Sequence, residues 1–167
     1  MVMHYDYVNT TLGTIFIVAT DLGLRKIGYP EQSRVAADWI SRNSDQLFIK
    51  GNSKLLEESK LQLIAYTKGI LRQFDVPLDV EGTVFQKKVW MQLANIHYGS
   101  TVTYKDIACT IEGERYARAV GTAVARNPLP FVLPCHRVVG KRGQLTGYAG
   151  GIELKKQLLL MEQVLLK

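Results

Sequence analysis

The stretch Asn127–Gly140 reads NPLPFVLPCHRVVG, and it holds one of only two cysteines in a chain of 167 residues. Pro128 disfavours helical geometry at the residue before it, so a preceding helix is expected to end there. The run LPFVL that follows is apolar, and it is predicted to be extended and buried. Pro134 then places Cys135 directly after a stiff segment. The stretch therefore presents a cysteine at the end of a constrained apolar run.

Cys135 is followed by a base and a cation, His136 and Arg137. Both favour the thiolate, which is the nucleophilic form of cysteine. Neighbours in an extended chain point to opposite sides, so His136 is expected to contact Cys135 only through a water or a bend. Zinc requires four ligands, and the sequence has no second cluster of cysteine and histidine. From these residues alone Cys135 is either a reactive nucleophile or a structural residue, whereas Cys109 is predicted to be an inert, packed side chain.

The composition predicts a soluble, cytoplasmic protein that does not associate with membranes, and we expect it to be a monomer. Two cysteines argue against a disulfide framework and are compatible with a reducing compartment. The first ten residues, MVMHYDYVNT, lack the basic and apolar regions of a signal peptide. No apolar run reaches the roughly 20 residues that span a bilayer. Because 47% of the residues are hydrophobic, the chain can bury a core.

The excess of positive charge lies in the second half of the chain. Residues 1–79 carry 9 basic and 9 acidic residues, whereas residues 80–167 carry 12 and 6, which accounts for the whole net charge of +6. This asymmetry indicates a polyanionic partner for the second half. The alternative is a basic surface that serves only solubility. We therefore divide the chain into domains of residues 1–79 and 80–167.

Residues 1–79 are predicted to form a small α/β scaffold without a functional site. The β-rich runs GTIFIVAT and LRKIGYP flank the turn residues DLG, which predicts a hairpin. A short helix is expected over about residues 38–44, and a long helix over residues 53–74 is capped by Ser53. The segment VPLDV then returns to extended structure. The long helix is expected to turn four apolar side chains inward: Leu56, Leu63, Ile64 and Ile70.

Residues 80–167 are predicted to be mainly helical. Thr83 and Gln86 form a capping box that begins one helix. The side chains that this helix buries are predicted to be Phe85, Val89, Trp90 and Leu93. Thr103 caps a short helix, YKDIACT, and a second helix, RYARAVGTAVAR, follows the turn IEGE. Two short helices across a glycine-containing turn indicate a helix-turn-helix, although many helical domains share this arrangement without binding nucleic acid.

The second helix of this pair has two different faces. Its inward face is expected to comprise Tyr116, Ala119, Val120, Ala123 and Val124. Its opposite face comprises Arg118, Gly121, Thr122 and Ala125. Small residues let the backbone of a partner approach this face closely, and the long arginine side chain can extend past that backbone. We therefore interpret this face as facing DNA. In the alternative interpretation, the small residues of this face pack against another helix.

The motif PCHRV, with RAVGTAVARNP before it, resembles the signature of the methylated-DNA–protein-cysteine methyltransferases, also called 6-O-alkylguanine-DNA alkyltransferases. The resemblance extends through TVFQKKVW, IHYGSTVTYKDIA and GQLTGYAGG to KKQLLLMEQ, and so covers the second half of the chain. The first half resembles the family's variable N-terminal domain more loosely, in TTLGTIFIVAT and FDVPLDVEGT. The implied fold is α/β (α+β): a small ribonuclease H-like domain of sheet and helix, then a helical domain of the winged or helix-turn-helix type.

The resemblance implies a single-turnover repair protein that moves the alkyl group of 6-O-alkylguanine or 4-O-alkylthymine in double-stranded DNA onto its own cysteine, without a cofactor. Cys135 would be the acceptor and His136 its base, acting through a water. Glu162 would orient His136, although by itself it resembles a solvated residue beside the inward stripe of the last helix. Asn127 would brace the active-site loop, and Tyr104 would help rotate the nucleotide and donate toward the leaving guanine. The inward stripe is predicted to be Leu154, Leu158, Met161 and Leu165.

The resemblance also implies that the damaged base is flipped out of the duplex by a helix in the minor groove. Arg118 would fill the gap in the base stack, because a base inside a duplex must be extruded to be reached. The other DNA contacts are assigned to Thr103, Tyr104, Gly121, Thr122 and Ala125. The pocket for the alkylated base is assigned to Val138, Tyr148, Ala149, Gly150 and Pro130. Taken alone, GQLTGYAGG is also compatible with an ordinary glycine-rich turn.

Three features depart from the family pattern. His97 stands where the family commonly has proline, and this difference is expected to alter a turn. Ala149 stands where many members have serine, so a hydroxyl near the flipped base is lost. Some members bind zinc in the N-terminal domain, but that half of this chain has no cysteine and only His4, so no metal is expected.

Three other functions are compatible with parts of the sequence. A lesion-binding alkyltransferase-like protein would lack the acceptor cysteine, whereas Cys135 is present. A transcriptional regulator would need base-reading side chains, for which Gly121, Thr122 and Ala125 are poorly suited. A Cys-His hydrolase would turn over repeatedly. The resemblance instead implies a single turnover, because water does not regenerate the thiol from the thioether product.

Overall fold

The computed structural model describes residues 1–30 and 33–166, without the side chains of residues 33–35. It consists of two units, Met1–Glu81 and Gly82–Lys167. The sequence places the domain boundary two residues earlier, after residue 79. Lys167, the last residue of the predicted second domain, lies outside the described residues.

The first unit contains a four-stranded sheet with the strand order β3-β2-β1-β4. Strand β1 pairs antiparallel with β2 and parallel with β4, and β2 pairs antiparallel with β3. The bounds of the elements are β1 Val2–Thr10, β2 Gly13–Ala19, β3 Leu24–Ile27, α1 Ser33–Arg42, β4 Leu47–Lys50 and α2 Lys54–Thr67. Helix α2 packs on β1 and β2. The predicted hairpin is confirmed as β2 and β3, which meet at a turn where the Thr20 amide donates to Gly23 at 2.9 Å.

The apolar run of β2 explains the core of this unit. Its residues 15–19 are all buried, as expected for a strand whose two faces are both covered. Leu56 and Leu63 of α2 are fully buried, as predicted. The segment VPLDV is extended beside β3, where the Leu24 amide donates to the Pro77 carbonyl at 2.8 Å. A side chain at Gly23 would lie 2.6 Å from the Leu78 backbone, so only glycine permits this approach.

Three predictions for the first unit were wrong in part. The long helix begins after the predicted cap Ser53, but it ends at Thr67 instead of continuing to residue 74. Gly69 adopts φ +72° and its amide donates to Tyr66, which is a typical glycine helix stop. Ile70 lies beyond this stop and is exposed, and Ile64 is only partly buried. Helix α1 spans Ser33–Arg42, and so starts before the predicted residues 38–44.

The second unit is mainly helical, as predicted. The bounds of its elements are α3 Val84–Ala94, β5 Val102–Thr103, α4 Tyr104–Ile111, a 3-10 turn Glu114–Tyr116, α5 Ala117–Ala125, a 3-10 turn Cys135–Arg137, β6 Val138–Val139, a 3-10 turn Lys141–Gly143 and α6 Ile152–Met161. Strands β5 and β6 pair in parallel. Both predicted caps are confirmed: Thr83 forms a capping box with Gln86, and Thr103 forms one with Asp106.

Burial in the second unit follows the predicted helix faces with three exceptions. Val89, Trp90 and Leu93 of α3 are buried, and Phe85 is partly buried. On α5 the inward residues Val120, Ala123 and Val124 are buried and Tyr116 is partly buried. Ala119 is exposed, as is Leu165, which follows the end of α6. Cys109 was predicted to be packed, and it is exposed because it lies on the outer side of α4.

Candidate active site and DNA-facing helix

Helices α4 and α5 pack against each other as a helix-turn-helix. Arg118, Thr122 and Ala125 are exposed on α5, and Gly121 is partly buried. The Tyr104 ring lies beside Gly121, where a Cβ atom would approach it to 3.7 Å. Within the described part of the chain, no other helix covers the exposed residues of this face. The face is therefore open to a partner, and its backbone is accessible beside Arg118.

The segment between α5 and the reactive cysteine is buried, but it is not extended as predicted. Leu129, Pro130, Phe131 and Leu133 are buried in consecutive turns, and Phe131 adopts φ +74°. Asn127 holds these turns from both ends. Its side-chain amide donates to the Leu133 carbonyl at 2.7 Å, and its side-chain oxygen accepts the Leu129 amide at 3.0 Å. We call residues 127–139 the reactive segment, because these contacts fix the approach to Cys135.

Cys135 begins a 3-10 turn that also contains His136 and Arg137. The expectation of alternating, extended neighbours is therefore wrong, and the bend is supplied by this turn. Cys135 is 2% exposed and His136 is fully buried. His136 Nε2 lies 2.8 Å from Oε1 of Glu162, which is buried at the end of α6. Glu162 is thus not a solvated residue of that helix, and the structure brings it to the histidine.

Burial is the main influence on the protonation of His136. It lowers the pKa of the ring, and the hydrogen bond with Glu162 acts in the opposite direction. Positive charge on Arg137 and Lys155 lowers the pKa further. The ring is therefore neutral near pH 7 and can accept a proton.

Arg137 is paired with the Glu162 carboxylate. Its guanidinium forms two 2.9 Å hydrogen bonds with Glu162, and its predicted influence on the Cys135 thiolate stays a prediction. A third hydrogen bond, of 2.5 Å, goes to the Ile96 carbonyl, and the guanidinium lies 5.6 Å from the centre of the Tyr98 ring. Arg137 therefore fixes the carboxylate that in turn contacts His136.

The glycine-rich segment GQLTGYAGG, residues 143–151, is called the pocket loop here. Tyr104 donates from its hydroxyl to the loop carbonyls of Thr146 at 3.4 Å and Gly147 at 3.5 Å. Burial raises the pKa of Tyr104, so its phenol keeps its proton and remains a donor. Of the residues assigned to the base pocket, Val138 and Pro130 are buried, Tyr148 and Gly150 are partly buried, and Ala149 is exposed.

The described residues contain no group of three or more side chains that could hold a metal ion. In that part of the chain no helix is both long and apolar enough to span a bilayer.

Comparisons with known proteins identify the family. The family model described as "6-O-methylguanine DNA methyltransferase, ribonuclease-like domain" matches residues 3–80. The model described as "6-O-methylguanine DNA methyltransferase, DNA binding domain" matches residues 84–164. The chain belongs to the 6-O-methylguanine DNA methyltransferase family. The predicted fold class, a small sheet domain followed by a helical domain, is confirmed by the structure and by these matches.

Several proteins of the family resemble this chain, over most of its length or over its larger part. The methylated-DNA–protein-cysteine methyltransferase of Methanosarcina barkeri is 42% identical over 164 residues, which cover 96% of this chain and 98% of that protein. The one from Mycobacterium tuberculosis is 51% identical over 102 residues, 61% of this chain and 62% of that protein. The crystal structure of the Mycobacterium tuberculosis O6-methylguanine methyltransferase matches with a TM-score of 0.81 and 37% identity, covering 96% and 93% of the two chains. A structure of the same organism's protein in complex with DNA also has a TM-score of 0.81.

In this methyltransferase, sequence reasoning missed one buried polar residue beside the reactive segment. Lys155 of α6 is 0% exposed, and its ammonium donates to the carbonyls of Val138 and Thr146. A lysine between Leu154 and Lys156 on a helix near the surface gives no sequence signal of burial. Only the inward register of Leu158 and Leu159 could have indicated that position 155 faces the core.

Proposed function

We propose that this methyltransferase uses Cys135 to accept the alkyl group from 6-O-alkylguanine or 4-O-alkylthymine in double-stranded DNA. DNA repair by alkyl transfer follows from its membership of the family. The 3-10 turn that contains Cys135 supports this cysteine as the acceptor, because the next residue in the turn is the neutral, buried His136. His136 Nε2 lies 2.8 Å from Oε1 of Glu162, which holds the ring in place. A nucleophile, a base and a group that orients the base are the parts that such a transfer requires.

In the proposed reaction the Cys135 thiolate attacks the alkyl carbon. A carbon–sulfur bond forms as the bond between that carbon and the base oxygen breaks, and the electron pair of the broken bond stays with the base. His136 takes the thiol proton through a water, and Glu162 stabilises the imidazolium that results. Tyr104 donates a hydrogen bond toward the leaving guanine, which takes up one proton. The base gains the proton that the thiol loses and the sulfur gains the alkyl group, so the reaction balances without a cofactor. The alkylated Cys135 cannot react again, and each protein molecule therefore transfers one alkyl group.

The DNA-facing surface supports binding of a flipped nucleotide. The small residues Gly121 and Ala125 allow a close approach of the nucleic-acid backbone, and exposed Arg118 can enter the gap that the extruded base leaves. The net positive charge of residues 80–167 attracts the phosphates without reading sequence. We assign Thr103, which caps α4, to the same surface. We expect the protein to act on DNA as a cytoplasmic monomer.

The proposed function is tested by the mass of the intact protein after mixing with duplex DNA that contains 6-O-methylguanine. We expect one methyl group per protein, located on the peptide that contains Cys135. The matched control is Cys109→Ser, which removes the exposed second cysteine and should gain the methyl group like the wild type. Tight binding to the lesion without any gain in mass would instead indicate a protein that recognises damage without repairing it.

Replacing Arg118 with alanine should slow repair of duplex DNA by at least about tenfold, because only the duplex has a stack to be held open. Transfer from the free base 6-O-methylguanine should change by less than about twofold, because no stack is present. Both rates are measured by single-turnover transfer to the protein. Arg42→Ala, an exposed arginine of the first unit, is the control. Equal losses on both substrates would exclude a wedge role for Arg118.

A further inference from the structure

Glu162 lies at the end of α6, where the helix closes in a Schellman motif. Gln163 adopts φ +62°, and its amide donates to the Leu160 carbonyl at 2.9 Å. The Val164 amide donates to the Leu159 carbonyl at 2.9 Å, which completes the motif. A helix frays more readily at its end than in its middle, so the position of the Glu162 carboxylate depends on what holds this last turn.

Tyr98 holds this helix end from the turn between α3 and β5. The carbonyl of Met161, the last residue of α6, belongs to the final turn, where carbonyls have no partner within the helix. The Tyr98 hydroxyl donates to this carbonyl at 3.3 Å. Because the next residue is Glu162, the hydroxyl fixes the peptide from which the carboxylate side chain projects.

The ring of Tyr98 contacts the cation that binds the same carboxylate. The Arg137 guanidinium lies 5.6 Å from the centre of the ring, within the range of about 6 Å over which an aromatic face attracts a cation. Arg137 in turn forms its two 2.9 Å hydrogen bonds with Glu162. One tyrosine therefore contacts both the backbone that carries the carboxylate and the cation beside it.

The turn that contains Tyr98 also contacts the carboxylate directly. The Ser100 amide donates to the His97 carbonyl at 3.1 Å, which closes the turn, and its third residue, Gly99, adopts φ +76°. The Gly99 amide donates to Oε2 of Glu162 at 3.3 Å. A Cβ atom at Gly99 would lie 3.1 Å from the Glu162 carbonyl oxygen, so glycine permits this close approach.

We propose that Tyr98 is a positioning residue of the alkyl-transfer site, which holds the Glu162 carboxylate against His136 by fixing the end of α6 and the guanidinium beside it. This role rests on the proposed function, since it affects repair only if His136 is the base for Cys135. Tyr98 acts on the group that orients the base. Its loss should therefore slow the transfer step and leave binding to the lesion unchanged.

The first test compares Tyr98→Phe, Tyr98→Leu and the control Tyr7→Phe, which changes an exposed tyrosine of the first unit. Single-turnover transfer from duplex DNA containing 6-O-methylguanine gives the lesion affinity and the rate at saturating DNA. Tyr98→Phe keeps the ring and loses the hydroxyl, and its saturating rate should fall about tenfold at unchanged affinity, because a small misplacement of an active-site group slows a reaction. Tyr98→Leu also loses the ring and should react about a hundredfold more slowly. Tyr7→Phe should match the wild type.

The second test asks whether Tyr98 acts through Glu162. Tyr98→Phe is combined with Glu162→Gln, and the rates of the single and double variants form a double-mutant cycle. Tyr98→Phe should slow the Glu162→Gln protein by less than about twofold, because the carboxylate that the hydroxyl positions is already gone. An equal loss in both backgrounds would show that Tyr98 acts independently of Glu162, and would overturn the proposal.

The third test needs no activity and decides the question if the Glu162→Gln protein does not fold. The ring nitrogens of the three histidines are observed by NMR in protein labelled with nitrogen-15 histidine. His4→Gln and His97→Gln identify the other two signals, which leaves His136. Tyr98→Phe should shift the His136 signals, because the carboxylate at 2.8 Å from the ring is displaced, and leave the His4 signals in place. Unchanged His136 signals would overturn the proposal.

The outcomes separate this proposal from the proposed function. If the wild type gains no methyl group at Cys135, the proposed function fails, and with it the role of Tyr98 in repair. If the wild type reacts and Tyr98→Phe reacts within about twofold of it at saturating DNA, the positioning role fails alone. Circular dichroism shows whether Tyr98→Leu is folded, and if it is not, the decision rests on Tyr98→Phe and on the NMR signals.

Discussion

Replacing Cys135 with serine should abolish methyl transfer and leave binding to the lesion unchanged. Serine has nearly the size of cysteine, so exchanging a residue that is 2% exposed leaves no cavity. A hydroxyl ionises far less readily than a thiol and is a weak nucleophile without strong activation. The rate should fall by at least about a thousandfold, as expected when a nucleophile is removed. The mass of the intact protein and gel-shift binding to DNA containing 6-O-methylguanine measure the two properties.

The matched control for this prediction is Cys109→Ser, in which the exchanged cysteine is exposed on α4. It should transfer and bind like the wild type. A Cys135→Ser protein that still gained one methyl group would show that another side chain is the acceptor. Loss of lesion binding in the same variant would mean that Cys135 also contributes to the structure of the pocket.

Replacing Glu162 with glutamine should reduce both stability and methyl transfer. The carboxylate is 2% exposed and contacts His136 at 2.8 Å and Arg137 at 2.9 Å. Glutamine keeps the shape of the side chain but leaves the buried Arg137 guanidinium without its counter-charge. Removing one partner of a buried ion pair lowers the free energy of unfolding by on the order of 3–5 kcal/mol. The histidine also loses the group that orients it, so the transfer rate should fall by about a hundredfold or more. Urea unfolding and single-turnover transfer by the folded protein measure the two effects.

Glu153→Gln is the control for Glu162, since Glu153 lies on the same helix and is exposed. It should unfold and react like the wild type. A Glu162→Gln protein that is less stable but transfers at the wild-type rate when folded would restrict Glu162 to a structural role. Wild-type stability would show that the ion pair with Arg137 contributes little.

The two units differ in how far sequence patterns predicted them. Caps are local signals, and so Ser53, Thr83 and Thr103 were each predicted at the residue where a helix begins. The helix faces of α3 and α5 were largely predicted because burial repeats with the helical period. The end of α2 was missed because the apolar pattern continues beyond Thr67, whereas Gly69 at positive φ ends the helix. The first strand, β1, was not predicted at all.

The sequence by itself determined the family, the helix-turn-helix and the position of the candidate nucleophile, because each depends on residues that are adjacent or one helical turn apart. Only the tertiary structure decided which charges meet at the site. Glu162 lies 25 residues after Arg137, and Lys155 lies 17 residues after Val138. These contacts depend on where α6 packs and on which way its side chains point, and a periodic pattern encodes neither for a polar residue. Burial of Lys155 and the ion pair of Arg137 with Glu162 are thus properties of the fold, whereas Cys135 beside His136 is a property of the chain.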